Sequence, residues 1–244
     1  MIIPVYKPIG SSTHLLAKKA GDLYQTKATH TGTLDPMADG VVVVLTGEDR
    51  FKKSELSDWK KTYEFEILWG VSNDTHDLLG LTTEIDEVEV DDKKIAAALL
   101  KFTGKITQQL PKFSAKRIDG KSYFDKAKQQ VAFTPESKEI QIHQLKLIGS
   151  DTIGKQQLQK KLQKINLVKG DFRQAEIHNN WQKIISQLPE KLIISKFTAN
   201  TSKRAYIRSL VRDISQSLNI PATTYSLTRT ANGKFAIKDC VCLM

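Results

Sequence analysis

The sequence predicts an α+β fold, and three segments carry that prediction. Val41-Val42-Val43-Val44-Leu45 is a continuous β-branched run of the kind that forms a strand buried on both faces. Residues 62–69 alternate, with Tyr63, Phe65, Ile67 and Trp69 on one face of a strand and Thr62, Glu64 and Glu66 on the other. Residues 204–218 carry Ile207, Leu210, Val211, Ile214 and Leu218 at helical spacing, with Arg204, Arg208 and Arg212 on another face.

The remaining elements follow from local signals. After a short opening strand, Lys7-Pro8-Ile9-Gly10 reads as a turn, and Ser11 or Ser12 caps a helix through Leu15, Leu16, Lys19 and Leu23. A glycine-punctuated loop over 29–40 leads into the buried strand, and the alternation at 62–69 points Tyr63 inward. Asp91 or Asp92 opens a helix with Ile95, Leu99 and Phe102 on one side, and strand-like pieces follow around Ile106, Phe113 and 140–147. Residues from about 151 to 190 change character: Gln and Lys dominate 155–164, and Trp181, Ile184 and Ile185 mark a second polar helical stretch. This stretch reads as an insertion. A strand is expected at 192–197. With no solenoid repeat and no Gly/Ser-rich or Pro-rich linker, 1–244 is expected to form a single domain.

Composition narrows the function. Lys and Arg number 37 against 27 Asp and Glu, a formal charge of +10, which suits a polyanionic partner such as nucleic acid. Cys240 and Cys242 are too few for a disulfide framework or a four-ligand zinc site, and they fit a reducing cytoplasm. His14, His30, His76, His143 and His178 lack metal-ligand spacing, so neither a metal nor a cofactor is expected. The start of the chain has no signal-peptide pattern, and no stretch approaches membrane-spanning length.

The densest punctuation is His30-Thr31-Gly32-Thr33-Leu34-Asp35-Pro36-Met37-Ala38-Asp39-Gly40. Taken alone, Asp35-Pro36 reads as a helix N-cap followed by a first-turn proline. In context, the residue before a proline is kept extended, and Gly32 and Gly40 allow tight turns on either side, so the loop presents a carboxylate at a fixed angle.

This motif resembles the signature of the TruB pseudouridine synthases. Further segments resemble the same family in order: Lys7-Pro8-Ile9-Gly10-Ser11-Ser12, Lys61-Thr62-Tyr63, Asp74-Thr75-His76-Asp77 with Gly80, Phe113-Ser114-Ala115-Lys116 with Gly120-Lys121, Tyr206-Ile207-Arg208-Ser209-Leu210, and Leu227-Thr228-Arg229. The resemblance implies a central mixed, largely antiparallel sheet flanked by helices, with a catalytic cleft across its face. It implies conversion of uridine to pseudouridine in the T loop of tRNA, at the position conventionally numbered fifty-five, with no obligate protein partner.

By that resemblance Asp35 is the catalytic carboxylate and Arg208 its charge partner, where an isolated helix arginine reads as surface charge. Tyr63, otherwise a core aromatic, stacks on the target base. His30 helps hold the RNA once the base has left the stack, and Tyr206 and Leu227 complete the substrate pocket. Lys7, Lys116, Lys121, Arg204, Arg212 and Arg229 are candidates for neutralising RNA phosphates. The chain departs from the family at Arg204-Ala205, where Gly-Thr is usual, and in the 151–190 stretch. With the sequence ending at Met244, the C-terminal PUA-like domain many relatives use to grip the acceptor stem is not expected. Two competing readings, a noncatalytic RNA-binding module and a guide-RNA-dependent enzyme, are disfavoured by the intact Asp35 and Tyr63 and by that missing domain, respectively. A phosphate-loop enzyme is excluded because no Gly-x-x-x-x-Gly-Lys-Ser/Thr pattern occurs.

Overall fold

The computed structural model describes residues 1–165, 168 and 170–243. Positions 166, 167 and 169 of the stretch read as an insertion lie outside the described residues. The main strands are β1 (Ile2–Lys7), β2 (Ala28–His30), β3 (Asp39–Thr46), β4 (Lys61–Trp69), β5 (Gly104–Gln109), β6 (Ser137–Gly154), β7 (Lys191–Thr201) and β8 (Ala222–Asn232). The main helices are α1 (Thr13–Leu23), α2 (Asp92–Leu99), α3 (Lys155–Ile165), α4 (Gln174–Ile185) and α5 (Ile207–Leu218).

The strands join in the order β1-β3-β8-β4-β7-β6-β5, with β2 added beside β3. The pairs along this path are antiparallel except β3 with β8, where Thr228 faces Asp39 and Arg229 faces Gly40 in parallel register. The sheet is therefore mixed and largely antiparallel, as expected.

Hydrophobic patterning decides which way each strand faces. Tyr63, Phe65, Ile67 and Trp69 share one core with Val42 and Val44 of β3 and with Leu210, Val211 and Ile214 of α5. Val41, Val43 and Leu45 pack on the opposite face with Leu56, so β3 is buried on both sides, as its apolar run predicts. α1 begins where the Ser12 hydroxyl accepts the Leu15 N–H at 3.4 Å. The stretch between β6 and β7 is more than a polar appendage. The two strands stay paired out to Gly154 and Lys191, and the helices between them bury Leu158, Leu162, Ile177, Trp181, Ile184 and Ile185 against Leu68, Leu78 and Tyr225. Trp181 Nε1 donates to the Leu78 carbonyl at 3.1 Å.

Four local expectations change. Pro36 opens no helix; the Ala38 N–H closes on the Asp35 carbonyl at 3.0 Å in a turn, and the chain enters β3 at Asp39. Phe113 lies in an irregular segment after β5, not in a strand, because its carbonyl serves a side chain and not a neighbouring strand. The last helix starts at Ile207, since Arg204 takes a left-handed φ of 67° and stands outside the helix. Gly40 has a φ of 110°, but Gly32 is not in the left-handed region, and a Cβ there would meet nothing nearer than Arg229 Nη1 at 3.8 Å.

At Gly40 the parallel contact leaves no room for a side chain, because a Cβ would lie 2.3 Å from the Arg229 carbonyl oxygen. Gly40→Ala is expected to destabilise the protein by about 1–3 kcal/mol through strain alone, read as a lower urea midpoint. An unchanged midpoint would mean that β3 and β8 separate at no cost.

Candidate active site

The loop between β2 and β3 is held by four residues from two separate parts of the chain, 7–13 and β8. Lys7, at the inward end of β1 and fully buried, donates from Nζ to the carbonyls of Ala38 at 2.6 Å and Pro36 at 3.4 Å. The Gly10 N–H donates to the Pro36 carbonyl at 2.9 Å. Thr13, in the first turn of α1, accepts the Leu34 N–H on Oγ1 at 3.0 Å. Arg229 of β8, 1% exposed, donates to the carbonyls of Val41 (2.7 Å), Gly32 (3.2 Å) and Thr33 (3.3 Å). Buried cations are tolerable here because backbone oxygens accept their hydrogen bonds.

The loop delivers Asp35 to Arg208, the second residue of α5. Arg208 Nε donates to Asp35 Oδ2 at 2.8 Å and Nη2 to Oδ1 at 2.7 Å, a two-pronged pair. Nη1 donates to the Thr75 carbonyl at 3.0 Å and Nη2 also to the Phe113 carbonyl at 3.1 Å. A second carboxylate, Asp77, stands 3.4 Å from Nε. The Arg208 side chain is 4% exposed and that of Asp35 22%, so the acid is the member of the pair that faces the cleft.

Electrostatics separates the two acids. Burial alone would raise the Asp35 carboxyl, but the charge and hydrogen bonds of Arg208, with the charges of Lys7 and Arg229, outweigh it and hold Asp35 below the usual carboxylate range. Asp77 is pushed up to about 6, by burial first and by the negative charge of Asp35, against the opposing pull of Arg208 and of hydrogen bonds from Thr75 and Leu79. Arg208 loses to burial but gains more from the two carboxylates, so it stays charged.

All six residues singled out from the sequence, Asp35, Tyr63, Arg208, His30, Tyr206 and Leu227, line one cleft of about 1160 Å³. Tyr63 and Leu227 stand on the paired strands β4 and β8. His30 ends β2, and burial, aided by the charges of Lys53, Arg229 and His14, lowers it to about 4, so it is neutral at physiological pH. The Tyr206 backbone is clamped by Gln108, whose amide accepts the Tyr206 N–H at 2.9 Å and donates to its carbonyl at 3.1 Å. Among the described residues, no group of three His, Cys, Asp or Glu side chains is placed to hold a metal ion.

The expected phosphate patch needs correction. Lys7 and Arg229 are interior and hold the Asp35 loop, so neither is free to meet a phosphate. Arg208, read as part of an arginine face with Arg204 and Arg212, is buried instead. Lys116 and Arg204 do line the cleft, joined by Lys53, Arg117, Lys138 and Lys203; Lys121 and Arg212 do not line it. The Lys7 amine is lowered to about 8, first by burial, with Asp35 and Asp39 opposing that fall.

Residues 19–170 match the model of the TruB family pseudouridylate synthase, N-terminal domain. The chain belongs to the TruB family. It is 31% identical over 244 residues to tRNA pseudouridine synthase B of Listeria monocytogenes, covering 99% of this chain and 69% of the relative. Against the protein of the same name from Treponema denticola, identity is 33% over 246 residues, covering 98% of this chain and 61% of the relative. The TruB fold also aligns with a chain of the crystal structure of a Cbf5-Nop10-Gar1 complex. That alignment has a TM-score of 0.62 and 18% identity, covers 99% of this chain, and spans about half (52%) of the other.

Sequence reasoning gave no role to Asp77, Lys7 or Gln108 in organising this TruB site. The signal for two of them is visible in register: Lys7 shares the inward face of β1 with Ile3 and Val5, and Gln108 shares a face of β5 with Ile106. A polar side chain at an apolar register position points to a buried hydrogen-bonding task. Asp77 makes a pH prediction. Its folded value of about 6 exceeds the reference 3.8, so its contribution to stability is full below the reference and is lost as pH rises through about 6. Asp77→Asn is therefore expected to gain in melting temperature relative to wild type between about pH 4 and pH 7. A constant difference over that range would show Asp77 ionised throughout.

Proposed function

We propose that this chain isomerises uridine to pseudouridine in the T loop of tRNA, with Asp35 as the catalytic carboxylate, Arg208 as its charge partner and Tyr63 as base platform and proton carrier. The observation that carries this reading is the doubly hydrogen-bonded Asp35 at the edge of a cationic cleft, ionised and partly open where its partner is closed. The names of the TruB relatives support the same substrate and product.

The reaction breaks the N1 to C1′ bond of uridine and joins C1′ to C5, with the C5 proton lost and a proton gained at N1. An ionised carboxylate serves it either by attacking C1′ or by removing a sugar proton, and both routes require the charged form that Arg208 secures. Because C1′ is inaccessible in a stacked loop, the target base must leave the stack, at a cost of a few kcal/mol, and enter the cleft. Tyr63 and Leu227 offer it a flat apolar wall, and the Tyr63 phenol is the candidate for moving the proton at C5. Neutral His30 helps hold the RNA once the base has left the stack, and Tyr206 completes the substrate pocket. Lys53, Lys116, Lys203 and Arg204 along the rim neutralise phosphates on either side.

Under this reading the reaction uses no cofactor, tRNA is the only required partner and the cytoplasm is the compartment, which suits the unpaired Cys240 and Cys242. No described helix is long and apolar enough to cross a membrane. The test is release of tritium from uridine C5 in an unmodified tRNA transcript, with Asp35→Asn beside wild type. Wild type is expected to release label, and the variant to fall below about a thousandth of that rate while still binding. Binding without release by wild type would overturn the catalytic reading. Transcript affinity is also expected to drop roughly tenfold or more between about 50 and 200 mM salt, measured by filter binding.

A further inference from the structure

Phe172 and Arg173, immediately before α4, reach the active site. Arg173 Nη1 donates to Asp74 Oδ2 at 2.8 Å and Nη2 to Asp74 Oδ1 at 3.2 Å. The same guanidinium lies 4.4 Å from the centroid of the Phe113 ring. Its side chain is 14% exposed and that of Asp74 25%, so this two-pronged, stacked pair is largely shielded from solvent, unlike an ordinary surface ion pair.

Both of its contacts belong to loops that hold Arg208. Asp74 closes its own loop, accepting the Leu81 N–H on Oδ1 at 2.9 Å and donating its N–H to the Leu81 carbonyl at 3.0 Å. That loop supplies the Thr75 carbonyl and the Asp77 carboxylate to Arg208. Phe113 supplies the other carbonyl. Phe172 lines the cleft itself and packs edge-on against Phe124, with ring centroids 5.2 Å apart; Phe124 in turn meets Phe113 at 5.9 Å.

The backbone also singles out this position. Arg173 occupies the N-cap of α4 in a left-handed conformation, φ 63°, and makes no side-chain cap bond. A residue chosen to start a helix would be Ser, Thr, Asp or Asn, and a left-handed position favours Gly or Asn. Arginine there serves neither need, and local strain is retained where the surroundings gain from it.

We infer that Arg173 is a positioning residue for the Asp35 and Arg208 pair, acting through the Asp74 loop and Phe113, so that the start of α4 is a structural part of the active site. The inference rests on the reaction proposed above for its kinetic readout, but not for its structural one.

The test uses the full chain with Arg173→Ala, Arg173→Lys and Asp74→Asn. Besides Arg208, the charged groups around Asp35 are Lys7 from β1, Arg229 from β8 and Asp77 from the 74–81 loop, none of which these variants alter. Arg173→Ala is expected to lower kcat about tenfold with KM within about twofold, and to move the acid limb of kcat to higher pH as the hold of Arg208 on Asp35 loosens. Asp74→Asn should do the same, the double variant should be no worse than either single one, and Arg173→Lys should recover only part of the loss, since lysine has neither the fork nor the stack. An unchanged kcat, or a loss confined to KM with the acid limb unmoved, overturns the inference. If Arg173→Ala does not fold, Asp74→Asn carries the same criterion alone. Without any RNA, the Arg208 Nε–H resonance should shift in the variants, and an unmoved resonance overturns the inference even if wild type releases no tritium. That last result would by itself overturn only the assigned reaction.

Discussion

A guanidinium removed from water has to find an acceptor for each N–H it can, and in this protein the surroundings of Arg208 are built to that requirement. Four hydrogen bonds leave it, two to Asp35 and two to backbone carbonyls from segments far apart in the chain. A charge buried this deeply is stable only when paired, and here two acids compete for it. Asp35 has the shorter, doubled contact and stays ionised, while Asp77, farther off and more enclosed, moves toward the neutral form. Burial first, and then uneven sharing of one cation, make two like groups titrate in different pH ranges.

The sheet makes this arrangement possible. Its parallel contact between β3 and β8 sets Arg229 against Gly40 and turns the Arg229 side chain back under the Asp35 loop. Lys7 does the corresponding work from β1. The carbonyls of the loop are consequently drawn inward toward fixed cations, and the Asp35 carboxylate is left facing the cleft. Rigidity in the loop therefore comes from interior charge, in a place where apolar packing would leave polar backbone unsatisfied.

Much of this was legible in the residues. The run from Val41 to Leu45 is buried on both faces, the alternation at 62–69 turns Tyr63 inward, and the apolar stripe of α5 faces the core. The six residues attributed to the site converge on one cleft. The directions of charged side chains were not legible. Lys7 and Arg229 read as phosphate-binding, and Arg208 is assigned to Asp35 only through the family resemblance, because a cation's burial depends on acceptors supplied by distant segments, which no local pattern records. The Gln and Lys-rich helices looked like decoration for a related reason: their apolar positions are sparse, and only the sheet face beneath them shows that Leu158, Leu162 and Trp181 complete a second core.

The contacts that define the site are also among the longest in the chain. Asp35 and Arg208 are 173 residues apart, and Arg229 reaches back 197 residues to Gly32. Pairings of such separation close after local helices and hairpins have formed, because the entropy of the intervening chain opposes them. Until β8 docks, the Asp35 loop lacks its Arg229 tether. The site is therefore expected to assemble with the slow, long-range closure of the sheet and not with the formation of its helices.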